Sequence, residues 1–439
     1  MNKYVSMGVL ALASAGLLAG CGNKADYTMA EQSGTGKPPL PEPRNFLLPP
    51  MKVPDGVGWK DGQTPKVAQG LAITRIASGL MHPRQLYTLP NGDVLVVEAN
   101  SPGTEEVSTP KQLIAGKIKN GSGKGGKGGN RITLLRPTGG PGEWEKHVFI
   151  EHLNSPFGVQ LIGNTLYVAN TNDIVTFPYT PGETHIDAPA KWFTDLPDTV
   201  NHHWTKALLA SPDGRKLYVG VGSNSNITEN GLAVEYRRAT VLEVDAATGA
   251  SRIYASGLRN PTGLQWEPQT GALWAIVNER DEIGADLVPD YLTSVRDGGF
   301  YGWPYSYWGQ HVDRRVQPQR PELVAKAIVP DYGLGSHVAP LGLLMTQGNA
   351  LPAQYHNGAF ISEHGSWDRR PLSGYRVTFV AFPQGHPVGK PQPVVTGFHS
   401  PDESELYGAP VGLAQDHDGA LLIADDVGNV VWRVTPAVR

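Results

Sequence analysis

Short apolar runs recur along the chain, and a turn introduces each one. Val94-Leu95-Val96-Val97 follows Pro90-Asn91-Gly92-Asp93, and Leu166-Tyr167-Val168 follows Gly163-Asn164-Thr165. Leu217-Tyr218-Val219 follows Pro212-Asp213-Gly214, and Leu421-Leu422-Ile423 follows Asp418-Gly419-Ala420. Strand, Asn-Gly or Asp-Gly turn, strand is the sequence signature of a β-hairpin. A second pattern precedes most of these hairpins. Its copies are His82-Pro83-Arg84-Gln85-Leu86, Ser155-Pro156-Phe157-Gly158-Val159, Asn260-Pro261-Thr262-Gly263-Leu264, Ala339-Pro340-Leu341-Gly342-Leu343 and Ala409-Pro410-Val411-Gly412-Leu413. His203-Trp204-Thr205-Lys206-Ala207 is a degenerate copy. About six copies, at irregular spacings of roughly 45 to 80 residues, predict an all-β chain folded as a six-bladed β-propeller with long loops. No hairpin buries both faces alone, so the blades must stack around a central axis. A β-sandwich with coincidental turns is the competing arrangement. It leaves unexplained why the pattern precedes the hairpin.

The 439 residues suffice for one large core or two modest domains. The 53 glycines and 37 prolines suit a turn-rich β protein. A net charge of -4 gives no reason to expect nucleic acid or an anionic membrane as a partner. The single cysteine, Cys21, excludes an internal disulfide and ends a leader-like stretch. Met1-Asn2-Lys3 is basic, Val5 to Ala19 is apolar and small, and Leu18-Ala19-Gly20-Cys21 resembles a bacterial lipobox. Residues 1–21 are therefore expected to be a lipoprotein signal, with Cys21 lipidated on the periplasmic side. Gly22 stands where an inner-membrane retention signal would carry Asp, which favours the outer membrane. An ordinary signal peptide is the alternative. Residues 22–66, rich in Pro, Gly, Lys and Ser, read as a flexible tether. Residues 67–439 read as the propeller, with Ala72-Ile73-Thr74-Arg75-Ile76 as its first strand.

Several segments carry candidate chemistry. Gly121-Ser122-Gly123-Lys124-Gly125-Gly126-Lys127 has phosphate-loop spacing, but Gly128 replaces the hydroxyl residue and no helix pattern follows. It reads as a flexible surface loop. Gly298 to Tyr305 is an aromatic, turn-rich stretch suited to a loop on the site face. On an extended segment His202 and His203 would point to opposite sides, which argues against a shared metal. One of them would face the axis as a general base. Asn278 to Asp286 is an acidic loop at a strand end, open both to calcium and to a simple solvated turn. Glu363 to Arg370 offers a histidine and two arginines, either as a carboxylate clamp or as a basic surface turn.

Together these motifs resemble the sorbosone dehydrogenase branch of the soluble, PQQ-dependent glucose/sorbosone dehydrogenases. The residues that carry the resemblance are Arg259-Asn260-Pro261 with Gly263, His203-Trp204-Thr205-Lys206, Asn278-Glu279-Arg280-Asp281, Tyr301-Gly302-Trp303-Pro304, His337 to Gly342 and His364-Gly365-Ser366-Trp367. It spans roughly residues 70 to 436. It implies a six-bladed propeller binding pyrroloquinoline quinone and calcium, and oxidation of a sugar alcohol or aldehyde group. His203 takes the place of the general base. Arg259 and Asn260 take the place of the pair that hydrogen-bonds the quinone oxygens. Backbone carbonyls of Arg280 and Asp281 stand where the calcium is held. Lys206, His337, His364, Arg369 and Arg370 are counted with the cofactor-binding residues. Three positions depart from the pattern, one of them Asp368, which replaces a common asparagine. His202 replaces an acid, and Ala409 replaces an arginine whose contact Arg370 is a candidate to supply. The partners implied are a small sugar and a periplasmic electron acceptor, with membrane attachment only through lipid. A calcium-dependent propeller lactonase and a non-catalytic binding propeller are the alternatives.

Overall fold

The structure is a computed structural model that describes residues 24–44, 53–103, 122–125, 128–140, 142–199 and 202–437. Cys21 and the apolar leader lie outside these residues. Six antiparallel sheets of four or five strands form the blades of a propeller. Their first strands are Pro83–Thr88, Gly158–Ile162, Lys206–Ala210, Pro261–Trp266, Pro340–Gln347 and Pro410–Gln415. Each of these strands touches the first strands of the two neighbouring blades, so the six close a ring around the axis. The repeat predicted from sequence is therefore the head of every innermost strand. Its physical content is packing. In blades 1, 4, 5 and 6 the pairing register slips just after the proline of the head, for example between Pro340 and Gly342, and the bulge bends the strand there. The glycine lets the next blade close in. A Cβ on Gly158 would fall within 3.0 Å of Leu208, one on Gly342 within 3.0 Å of the Val411 carbonyl, and one on Gly412 within 3.0 Å of the Arg84 carbonyl.

The predicted turns all join first strand to second. Gly92, Gly163, Gly214 and Gly419 take the positive φ that these hairpins need. Between blades the second strands are buried along most or all of their length. Val94–Glu98, Leu273–Val277 and Leu421–Asp425 have no exposed position, because both of their faces meet a neighbouring sheet.

Two readings of the N-terminal region need correction. Leu71–Ala77 does not begin the first blade. It pairs antiparallel with Val430–Pro436 and becomes the outer strand of blade 6, so the chain's two ends close the ring. Nor is the 22–66 stretch a free tether where it is described. Ser33–Thr35 adds a fifth strand to blade 4, and Asp55–Gly56 pairs with Glu405–Leu406. Trp59 packs on Phe398, Tyr407 and Trp432 at 5.7, 5.7 and 5.4 Å and donates its indole N–H to Asp425 Oδ2 at 2.6 Å. Proline and glycine content reports a lack of regular structure, not a lack of contacts; scattered apolar groups such as Met29, Leu40 and Trp59 anchor this segment.

Candidate active site at the propeller axis

Innermost strands start, and second strands end, at one end of the ring. The loops there carry most of the residues singled out in the sequence. His203, at the head of blade 3, places Nδ1 2.9 Å from the Ser223 carbonyl and 3.0 Å from Ser223 Oγ. That hydroxyl already donates to the Ser225 carbonyl at 2.6 Å. Both partners therefore accept, so Nδ1 carries the ring proton and the Nε2 lone pair is left for a substrate. Burial, then the positive charge of Arg259, hold the His203 pKa well below its ordinary value, which keeps the ring a neutral base. Gly222 packs beneath it: a Cβ there would come closer than 3.0 Å to His203 Cβ and to Asn260 Oδ1.

Arg259 is 2% exposed and wrapped by two loops. Its Nε donates to the Asn226 carbonyl at 3.2 Å, Nη2 to Asn226 Oδ1 at 2.9 Å, and Nη1 to the Glu279 carbonyl at 2.6 Å. The remaining donors reach the Asn278 carbonyl at 3.5 Å and Asp281 Oδ2 at 3.3 Å. All five guanidinium N–H groups thus have acceptors in the protein. Arg259 stands as a fixed positive charge whose donors are engaged within the protein. Asn260 is different. Its Oδ1 is buried with no hydrogen-bond partner in the structure. Such a group is uncommon in a folded interior and suits a ligand contact.

Asp281 joins Arg259 to His337, whose Nδ1 lies 3.2 Å from Asp281 Oδ1 while its Nε2 lies 3.0 Å from the Gly284 carbonyl. Burial opposes charge on His337, but Asp281, Asp368 and the Gly284 carbonyl outweigh it and lift its pKa to about 9. Burial likewise opposes charge on Asp281, and His337 and Arg259 hold it below the usual carboxylate value. The pair is an imidazolium–carboxylate, with Arg259 beside it.

A second group faces this one from blades 5, 6 and 1. His364 Nε2 lies 3.0 Å from both carboxylate oxygens of Asp426, which also pairs with Arg84 Nη1. Arg84 stands 5.6 Å from the Trp204 ring of blade 3. Sequence reading missed Arg84, although it sits in the first copy of the repeat. Ala409, where the family pattern has an arginine, donates its own N–H to Asp425 Oδ1 at 2.8 Å. Asn226 was missed too; only its folded position opposite Arg259 reveals it.

Other candidates lie elsewhere or act differently. Arg369 is buried, and it donates to the Ala285 carbonyl at 2.6 Å, Asp286 Oδ1 at 2.8 Å and the Tyr27 carbonyl at 2.6 Å. Arg370 is exposed on the rim, and its carbonyl accepts from Ala25 N at 2.9 Å. The structure does not bring these two arginines into the axial group. Lys206 is fully buried, with Nζ 3.1 Å from the Trp204 carbonyl. Burial and the charge of Arg238 push its pKa well down. Arg280 points its side chain away from the axis, bonding Glu279, Asp313 and the carbonyls of Pro304 and Ser306, which anchors the aromatic loop. Trp303 of that loop donates to the Asn226 carbonyl at 3.1 Å. The rings of His202 and His203 are in edge contact at 4.6 Å instead of pointing apart, because the segment bends there and is not extended. Lys124 is no free surface residue: it reaches the carbonyls of His364 and Gly365 at 3.3 Å and stands 4.5 Å over the Tyr375 ring.

Fold and site together define a six-bladed propeller whose loops at one end carry His203, Arg259, His337 and Arg84. A family profile described as TrAA12-like matches residues 126–290 and 323–437, and the chain belongs to that family. A curated relative, the pyrroloquinoline quinone-dependent sugar dehydrogenase of Hypocrea jecorina, is 22% identical over 82% of this chain and 87% of its own. An uncharacterized protein of Borreliella burgdorferi is 28% identical over 64% of this chain and 76% of its own. Among solved structures, a Trichoderma reesei enzyme of Carbohydrate-Active Enzymes Family AA12 superposes with a TM-score of 0.69 at 21% identity, covering 90% of this chain and all of that one. The holo PQQ domain of Coprinopsis cinerea pyranose dehydrogenase gives 0.69 at 19% identity, over 88% and 100%.

The residues present fit an anionic quinone. Arg259, His337 paired with Asp281, and Arg84 paired with Asp426 supply positive charge, and the unpartnered Asn260 Oδ1 is an acceptor for an N–H or O–H of a ligand. They do not by themselves fit calcium. Among the described residues no group of three or more His, Cys, Asp or Glu stands close enough to hold a metal ion. The Asp281 carbonyl already accepts from Asn226 Nδ2 at 3.1 Å and Arg315 Nη1 at 3.5 Å, where a cation would repel the arginine.

Proposed function

We propose that the protein is a PQQ-dependent sugar dehydrogenase of the sorbosone dehydrogenase type. The observation that carries this reading is the free Nε2 of His203, held neutral beside Arg259 and Asn260. Pyrroloquinoline quinone, when bound, supplies the hydride acceptor. His203 takes the proton of the sugar hydroxyl on Nε2, and the Nδ1–H bond to the Ser223 carbonyl steadies the imidazolium that forms. Arg259 lowers the energy of negative charge developing at the axis through its field, since its donors are engaged. Asn260 orients the ligand through its amide. Arg84, with His364 and Asp426 behind it, is assigned to a cofactor carboxylate. Calcium is expected from the resemblance, and no step is assigned to it.

The chain is also proposed to be a periplasm-facing lipoprotein anchored through Cys21. Lys24 pairs with Arg370 in an isolated bridge, so only Gly22 and Asn23 separate Cys21 from docked chain. The sugar oxidised and the electron acceptor are assigned only by class.

The test adds PQQ, with and without calcium, to purified protein and follows dye reduction across a panel of sugars. Dye reduction that His203→Ala and Arg259→Ala each abolish is the expected result. Lactone hydrolysis without quinone would replace this reading with a lactonase. Absence of quinone binding would replace it with a binding propeller.

A further inference from the structure

The segment that precedes the propeller reaches the loop that carries half of the axial site. Gln32 is fully buried and lies between two pieces of that site. Its Nε2 donates to the Asp286 carbonyl at 2.8 Å. Its Oε1 accepts from Ser336 N at 3.3 Å and from Arg369 Nη1 at 3.4 Å. Asp286 ends the loop whose Asp281 and Gly284 hold the His337 ring, and Ser336 immediately precedes His337. One amide thus fixes both sides of the His337–Asp281–Gly284 contact.

Neighbouring bonds act in the same direction. Asp26 N donates to Asp286 Oδ2 at 2.6 Å, and Arg44 N donates to the Ile283 carbonyl at 2.9 Å. Arg369 ties the Tyr27 carbonyl to the Ala285 carbonyl and to Asp286. Across the loop, Glu282 N donates to Asp368 Oδ2 at 3.1 Å. Residues 282, 283, 285 and 286 are each held from outside the loop, 283 and 286 by chain lying between 26 and 44, and 282 and 285 by Asp368 and Arg369. Ser33–Thr35 then locks this strap to the outer edge of blade 4. None of these bonds is needed to close the ring of blades, which Leu71–Ala77 completes.

We propose that residues 24–44 form a positioning strap for the axial site, with Gln32 as the residue that sets His337 against Asp281 and so Asp281 against Arg259. Gln32 touches neither Arg259 nor His203 and acts through the loop. The turnover arm of the test rests on the dehydrogenase reading; the exchange arm does not.

The test compares wild-type full-length protein with Gln32→Leu, which fills the same space without the bonds, and Gln32→Glu, which keeps the acceptor toward Ser336 and Arg369. Amide hydrogen exchange is measured without cofactor. Gln32→Leu is expected to speed exchange at Glu282 and Ala339 at least tenfold, while exchange in the blade 2 strand Thr165–Ala169 is unchanged. In turnover, Gln32→Leu is expected to lose about tenfold in kcat/KM and Gln32→Glu to recover part of it. Unchanged exchange at both amides in whichever variant folds overturns the strap. Changed exchange with kcat/KM within twofold of wild type overturns its role at the site. A wild-type protein with no turnover at all would instead refute the dehydrogenase reading.

Discussion

Gly222→Ala isolates the geometry of the site from the stability of the fold. The backbone of Gly222 does not take a positive φ, so alanine meets no conformational penalty there and the effect is steric. The added Cβ would lie closer than 3.0 Å to His203 Cβ and Asn260 Oδ1, and a relaxed contact needs about 3.5–4.0 Å. His203 and Asn260 must therefore each retreat from the new methyl by at least about 1 Å. A misplacement of that size costs on the order of 100-fold in rate when a proton must move along a defined line. Inserting one methyl into a packed interior costs about 1–3 kcal/mol. With an unfolding entropy of about 2.1 cal/mol/K per residue over about 370 residues, that moves Tm by only about 1–4 °C. The assay is sugar-dependent dye reduction of the PQQ-loaded protein beside a thermal melt, with Gly140→Ala as the control in open space. Loss of about 100-fold in kcat/KM with a small Tm change is expected. Activity within threefold of wild type would refute the assignment of His203 and Asn260 as a precisely spaced pair.

Three further outcomes are expected. Asp426→Asn leaves Arg84 and His364 without their shared carboxylate; breaking such a buried pair costs about 3–5 kcal/mol, read as a lower urea midpoint, and PQQ affinity should fall with it. Burial holds the His364 pKa at about 4 against an unfolded value near 6.5, so the unfolded chain binds more protons between those values; stability should rise from pH 4 to 6.5, by on the order of 3 kcal/mol from this residue, and His364→Gln should flatten that part of the urea profile. Cys21→Ala should move the protein from the membrane fraction to the soluble one on cell fractionation; membrane retention would refute the lipid anchor.

Much of the architecture was legible before folding was considered. The hairpins could be read because a tight turn needs a residue with positive φ at a particular place, and Gly92, Gly163, Gly214 and Gly419 supply it locally. The Pro-x-Gly heads of blades 2, 4, 5 and 6 could be read because these blades meet the same packing demand where the next blade closes in, so the demand repeats in the sequence. His203, Arg259 and Asn260 could be found because they sit at those heads.

What stayed hidden depends on partners distant in sequence. Arg84 looks like one more position of the repeat until Asp426 arrives beside it, 342 residues away. Arg369 looks like a ligand clamp until Asp286 and Tyr27 take its donors. The segment before the propeller looks like a loose leash because composition records no contacts, and Gln32 becomes a keystone only when Asp286 and Ser336 flank it. Local steric rules act through neighbours in the chain, so the sequence by itself determined the blades and their heads. Electrostatic pairing and the engagement of donors act through neighbours in space, so the closed ring alone decided which charges remain for a ligand.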